Sequence, residues 1–282
     1  MEKQTDCIID NLVIYVYNVR VSGFDFFKQK LDKAEIHGKI PNMRLTIGKG
    51  YSEYHYRLNV GQGAGAITIG YKHNSVRHNE EFFNMRIEFN PSKDNGLYAG
   101  FWDIFKELFF NHTKKIKQAD FAFDVPIEIN RLFAVSKTGR QRSYYKNTQY
   151  FGSSGNNGRL RIYDKKNELE EKQGVKVLDE HRTRIEYTLR LEEPITLQWF
   201  SKVNSNFREE YTIAVLNEEK LTGEIKAAVL AIHHGYMKIN EFTRTTKTKI
   251  KKALDSMEQL DLDQAYHNAL ERNVKQISSY FK

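Results

Sequence analysis

The residues best suited to chemistry lie in one short run, Arg159-Leu160-Arg161-Ile162-Tyr163-Asp164-Lys165-Lys166-Asn167-Glu168. In an extended chain successive side chains alternate between two faces, so Leu160 and Ile162 would point to a core while Arg159, Arg161, Tyr163 and Lys165 share the other side. A tyrosine with cations on its own face is suited to attack on phosphorus. Positive charge lowers the cost of a phenolate and holds a phosphodiester beside it. The alternative is a solvated cationic strand face carrying a half-buried tyrosine, one of sixteen in the chain.

Carboxylates add to the set. Glu88, Asp120, Asp124 and Glu186 all fall on the polar faces of amphipathic strands. Such acids can gather a hard divalent cation, which takes oxygen ligands. Asp120 and Asp124 share a face but lie roughly 13 Å apart along a strand, too far to hold one ion together. The competing role for each acid is an ion pair with a nearby arginine, since Arg86 and Arg184 stand two residues before Glu88 and Glu186. Other chemistries are not signalled. Cys7 is the single cysteine, there is no phosphate-binding loop or nucleophile elbow, and no two histidines form a His-x-His array. His233 and His234 are adjacent, which on a helix points them apart and suggests two surface side chains. Gly61, Gly63 and Gly65 fall between strands, so they form a hairpin loop and not a dinucleotide site.

The elements that must position these residues follow from periodicity. Residues 8–17 are β-branched and aromatic and read as a strand. A helix follows, starting near Ser22 or Asp25, with Phe26, Phe27 and Leu31 inward and Gly38 past its end. Strands are predicted over 43–47, 53–60 and 66–71, then at Met85 to Phe89, where alternation is strict. A turn at 91–96 leads to a core helix from Tyr98 to Phe110, with Phe101, Ile104, Phe105 and Leu108 at helical spacing. The order then restarts: a strand at Ala119 to Val125, a short helix at Ile127 to Val135, and strands at 143–152, 159–164 and 182–189. Arg86-Ile87-Glu88-Phe89 and Arg184-Ile185-Glu186-Tyr187 echo one another and point to an internal β-rich duplication. From about residue 194 the pattern is helical. One helix spans Leu221 to His234, a second is capped by Asn240 and carries Arg244, Lys247, Lys249, Lys251 and Lys252, and a third is capped by Asp263. The expected fold class is α+β, with an antiparallel sheet core and a helical C-terminal region. The expected divisions are residues 1–115, 116–190 and 191–282.

Composition narrows the partners. Of 282 residues, 44 are Lys or Arg and 36 Asp or Glu, a formal charge of +8, which favours polyanions. With 40% hydrophobic residues and four prolines the chain can bury a core, which excludes wholesale disorder. One cysteine allows no internal disulfide and fits a reducing compartment. No apolar run approaches the ~18 residues a bilayer span needs, and the start Met1-Glu2-Lys3-Gln4 lacks the apolar core of a signal peptide. The expectation is a cytoplasmic protein with no membrane partner.

Taken in order, Gln118-Ala119-Asp120-Phe121-Ala122-Phe123-Asp124, Arg159 to Lys165, and Arg184-Ile185-Glu186-Tyr187, with Arg86 to Asn90 upstream, resemble the Rep_trans family, the replication initiators of small rolling-circle plasmids. The resemblance implies a fold related to the HUH-type nicking enzymes and a sequence-specific DNA-nicking and DNA-joining activity. It implies that Tyr163 is the nucleophile, forming a 5′-phosphotyrosine link, and that Mg²⁺ or Mn²⁺ polarises the scissile phosphate. Asp120, Glu186 and Glu88 are then the expected ligands, with Arg161 and Lys165 clamping phosphate. The implied partners are plasmid origin DNA, double-stranded and single-stranded at the nick site, a second copy of the chain and a host helicase. The basic run from Arg244 to Lys252 would neutralise phosphates of the origin, or else form a solvated helix face. The loop at 152–158 would admit a single strand beside Tyr163, or serve as an ordinary hairpin turn. A relaxase of a conjugative element shares this chemistry. A non-catalytic DNA-binding repressor and a nuclease that uses water are the readings from other classes.

Overall fold

The structure is a computed structural model and describes residues 5–47, 54–73, 81–94, 96–153, 155–174, 176 and 180–281. The expectations placed on Met1 to Gln4, Glu53, Asn95 and Ser154 lie outside the described residues. Among the described residues no helix is long and apolar enough to cross a membrane. The chain forms two compact units. One comprises Ile8–Phe121, Thr188–Val203 and Asn268–Lys282, and the other Met1–Cys7, Ala122–Tyr187 and Asn204–His267.

The chain begins with β1 (Asp6–Arg20), α1 (Val21–Ile36), β2 (Met43–Ile47), β3 (Tyr54–Val60), β4 (Ile67–His73), β5 (Phe82–Phe89), α2 (Ala99–Phe109) and β6 (Lys114–Val125). In the first unit the strands lie in the order β2-β3-β4-β5-β1, each pair antiparallel, with β6 beside β1. The alternation of β5 explains its place: Phe83, Met85, Ile87 and Phe89 are buried, while Arg86 and Glu88 stay half-buried on the other face. Helix α1 buries Phe24, Phe27, Leu31 and Ala34, one stripe at three- and four-residue spacing. Phe26, expected inward, is instead 48% exposed, because one position along a helix turns a side chain away from that stripe. Phe27 packs edge-on against Phe109 at 5.1 Å and against Phe101 at 5.9 Å. Each such ring contributes about 1.5–3 kcal/mol of transfer free energy when fully buried.

The chain continues with β7 (Leu132–Ser136), β8 (Arg142–Tyr145), β9 (Thr148–Phe151), β10 (Arg159–Asp164), α3 (Lys165–Gln173), β11 (Thr183–Ile195), α4 (Leu197–Phe200), α5 (Phe207–Glu210), β12 (Tyr211–Val215), α6 (Gly223–His233), α7 (Arg244–Asp255), β13 (Glu258–Gln259) and α8 (Leu262–Phe281). In the second unit β10, β9 and β8 are neighbours in an antiparallel array with β11 next to β10, and β13-β12-β7 form a small separate sheet. The helices α6 and α7 pack on that sheet through Phe133, Leu216, Val229, Ile232, Ile250 and Leu254. The mixed α+β class is as expected.

Several local expectations are corrected. Residues 127–135 hold a single helical turn at Ile129–Arg131 followed by β7, not a short helix. Leu132, Phe133 and Ala134 are all buried, and an unbroken apolar run of this length has no periodicity to separate strand from helix. The region after residue 194 is not helical throughout, since β12 lies within it and pairs with β7 from Tyr211↔Ser136 to Val215↔Leu132. Helix α7 is capped by the Thr243 hydroxyl, which accepts from the Thr246 N–H, and Asn240 sits in a preceding turn. Helix α8 starts one residue before Asp263, and the Asp261 carboxylate accepts from the Gln264 N–H at 3.4 Å. Asp263 turns instead to Arg208 at 3.0 Å. His233 is buried, with Nε2 hydrogen-bonded to the Asn130 carbonyl at 2.9 Å.

Candidate active site

Strand β10 positions the tyrosine. Leu160 and Ile162 are fully buried, which pins the strand to its core and turns Arg159, Arg161 and Tyr163 to the other face. Tyr163 is itself only 8% exposed. Its phenol donates to Glu186 Oε1 at 2.6 Å. The other carboxylate oxygen, Oε2, accepts from the Arg161 guanidinium. That guanidinium also lies over the Tyr163 ring, 5.0 Å from its centroid, and the Lys165 ammonium lies 5.7 Å from it. Tyr163, Glu186 and Arg161 thus form one connected group within the second unit.

The electrostatics differ from the expectation that cations ease ionisation of Tyr163. Burial raises the phenol well above the ordinary tyrosine range, the Glu186 charge and its hydrogen bond raise it further, and Arg184 and Arg161 only partly offset this. The phenol is held protonated against a carboxylate that can take its proton. Lys165 is paired with Glu168 at 2.6 Å. Arg184, expected beside Glu186, forks instead onto Asp124, with Nε to Oδ1 at 2.6 Å and Nη2 to Oδ2 at 2.8 Å. This frees Glu186 for Tyr163 and Arg161.

The loop entering β10 is anchored. Asn157 and Gly158 present their carbonyls to Arg140 Nη1 at 2.9 Å and to the Tyr211 hydroxyl at 2.5 Å. Gly158 has φ +71°, and a Cβ there would collide with the Arg140 and Glu210 side chains, themselves ion-paired at 3.1 Å. Arg140, Glu210 and Tyr211 carried no signal in the sequence, because each lies far along the chain from the loop it holds.

Glu88 and Asp120 belong to the first unit. Both accept from one amide, Asn11 Nδ2, at 3.0 and 3.3 Å, and Gln118 Nε2 donates to Asp120 at 3.2 Å. Arg86 pairs with Glu88 at 2.7 Å. Among the described residues no three His, Cys, Asp or Glu side chains gather around one point. The donor set of Glu88 and Asp120 nonetheless fits a hard cation. The two carboxylates converge on the Asn11 amide, and Mg²⁺ commonly takes one or two carboxylates and keeps its waters. Asn11 had no motif to mark it.

Of the predicted cationic residues on α7, Arg244, Lys249, Lys251 and Lys252 are exposed and Lys247 is half-buried. None of the five makes an ion pair among the described residues. Ile250 and Leu254 bury the opposite face. The helix is thus held by one apolar stripe while its cations lie on the remaining surface.

Residues 120–214, which hold Asp124, Tyr163, Arg184 and Glu186, match the Phage_CRI family, described as the N-terminal part of a replication-associated protein. A Staphylococcus aureus "Replication initiation protein" is 26% identical over 203 residues, covering 69% of this chain and 62% of the relative. A second protein of the same description and organism is 24% identical over 200 residues. The chain thus spans about three fifths of the length of the relatives it matches. A solved rolling-circle replication initiator from Geobacillus stearothermophilus superposes with a TM-score of 0.42 at 12% identity, over 89% of this chain and 97% of that one.

Proposed function

We propose that this protein is a rolling-circle replication initiator of the Rep_trans type, which nicks and rejoins origin DNA through Tyr163. The observation that carries this reading is the buried Tyr163–Glu186 hydrogen bond beside Arg161, in the segment similar to replication-associated proteins. Tyr163 Oη attacks phosphorus as its proton passes to Glu186. The bond from phosphorus to the 3′-oxygen breaks, a 5′-phosphotyrosine ester forms, and the proton on Glu186 returns to the departing 3′-oxygen. Arg161, released from Glu186 as that carboxylate is protonated, holds the non-bridging phosphate oxygens. Because the ester keeps the phosphodiester's bond energy, a later hydroxyl can rejoin the strand without ATP.

Mg²⁺ or Mn²⁺, when bound, would polarise the phosphate. Glu88 and Asp120 are proposed as a cation-holding pair of the first unit, and Glu186, the third acid expected as a ligand, is assigned to the proton. Lys165 is proposed to add positive charge beside the phosphate, and Arg244, Lys247, Lys249, Lys251 and Lys252 to bind duplex origin DNA. Residues 116–190 carry the chemistry in this reading. A dimer of the chain supplies a second tyrosine for termination, and a host helicase unwinds from the nick. The test is a denaturing gel of the protein with a labelled single-stranded origin oligonucleotide and Mn²⁺. A covalent band lost in Tyr163→Phe supports the reading. Cleavage that persists in the variant assigns the attack to water or to another tyrosine.

A further inference from the structure

The first unit carries a polar sheet face of which the proposed chemistry uses only Glu88. Its residues fall in register across four neighbouring strands: Tyr15 on β1 is opposite Arg86 on β5, Arg86 is opposite Gly70 on β4, and Gly70 is opposite Arg57 on β3. Three strand spacings make this row about 14 Å long. It floors an open cleft of about 350 Å³, to which Tyr54, Lys117 and Arg190 also contribute.

Three features give the face a chemistry. First, it is cationic. Arg57 is exposed and makes no ion pair among the described residues, and Lys117 donates to the Glu192 carbonyl at 2.6 Å, a contact that leaves its charge uncancelled. The acid on the face, Glu88, is already engaged by Arg86 and Asn11. Second, it is aromatic, with tyrosines at 15 and 54. Third, the ring of Tyr54 lies flat on the backbone of Gly70. A Cβ at Gly70 would meet the ring at 2.8 Å, so only glycine lets a phenol lie down on the sheet there. Flat aromatic faces among cations on an open sheet accept unpaired bases by stacking while the cations follow the phosphates, whereas a duplex hides its base faces.

We propose that this sheet face is a second nucleic-acid site, which holds single-stranded DNA by stacking on Tyr54 and Tyr15 with phosphates on Arg57 and Lys117. It rests on the reading that the chain handles origin DNA, and it supplies a hold on the strand beyond the nick. The face keeps one flank of the origin open by binding it unpaired.

The test measures fluorescence anisotropy of a short fluorescein-labelled single-stranded oligonucleotide of mixed sequence, in a Tyr163→Phe background so that no covalent product forms. Arg57→Glu is expected to weaken binding by at least about tenfold and Tyr54→Ala by about fivefold or more. Lys33→Glu, an exposed charge reversal on α1, is expected to stay within about twofold, and melting by circular dichroism to be unchanged for Arg57→Glu. Parental affinity in Arg57→Glu and Tyr54→Ala overturns the proposal. So does an equal loss in Lys33→Glu, or an equal loss for the corresponding duplex. Adduct formation at Tyr163 in the otherwise unaltered protein is scored separately. Its absence overturns the nicking reading alone, while adduct formation with binding indifferent to Arg57 and Tyr54 overturns this proposal alone.

Discussion

Tyr163 donates its phenolic hydrogen to Glu186 at 2.6 Å, across a separation of 23 residues in sequence. In the proposed reaction, the proton that leaves as the oxygen attacks therefore already points at its acceptor. The same contact, with burial, disfavours a standing phenolate. On the proposed mechanism, activation occurs in the transition state, when the proton moves with the attack.

Replacing Glu186 by Gln keeps the shape and removes the acceptor. Adduct formation is expected to slow by about 10²–10⁴-fold, the range for a general base. Loss of the negative charge is also expected to lower the Tyr163 phenol from its raised value. Stopped-flow adduct kinetics and ultraviolet titration of tyrosinate read the two effects independently.

The buried tyrosines set the alkaline limit of stability. Tyr163, Tyr71, Tyr187, Tyr211, Tyr266 and Tyr280 are all raised above the ordinary value, with burial as the first cause in each. Below the unfolded value near 10 both states are protonated and this contribution is complete. Above it the unfolded chain loses protons that the folded chain retains, so unfolding becomes easier as pH rises. Urea unfolding followed from pH 8 upward is expected to show a midpoint that falls from about pH 10. A midpoint that held or rose there would contradict these burials.

Asp124→Asn breaks the fork that holds Arg184, which is 7% exposed. The cost is expected to be about 2–3 kcal/mol, because a buried guanidinium loses its charged acceptor. Equilibrium denaturation measures it, and an arginine left seeking an acceptor is expected to compete with Tyr163 for Glu186.

Helix α7 separates anchoring from charge. Ile250→Ala opens a cavity against Val229 and Ile232 and is expected to cost roughly 2–5 kcal/mol. Lys251→Ala with Lys252→Ala is expected to leave stability within about 0.5 kcal/mol. That double variant is expected to weaken duplex origin binding and to reduce the salt slope by about two, one per lost phosphate contact. Binding isotherms at several salt concentrations give that slope.

What could be read from the sequence was whatever repeats locally. Strands β5 and β10 and helices α1 and α2 declare themselves by spacing, and the Arg159, Arg161, Tyr163 face follows from β10 alone, whereas Lys165, expected on the same extended face, is the first residue of α3. The partners do not repeat. Arg184 precedes Glu186 by two residues yet pairs with Asp124, because the neighbouring strand supplies the closer acceptor. Asn11 joins Glu88 to Asp120 from a strand with no motif. Strand β7 was hidden because both its faces are covered, which erases the alternation that marks half-buried strands.

The most direct measurement is peptide mapping of the covalent product. The protein is incubated with a single-stranded nick-site oligonucleotide and Mn²⁺, digested, and the nucleotide-bearing peptide is sequenced by mass spectrometry. The expected result is a phosphodiester on the peptide containing Tyr163, absent when Tyr163 is Phe. A nucleotide on a different tyrosine, or cleavage that leaves a free 5′-phosphate and no modified peptide, would contradict the assignment of the nucleophile.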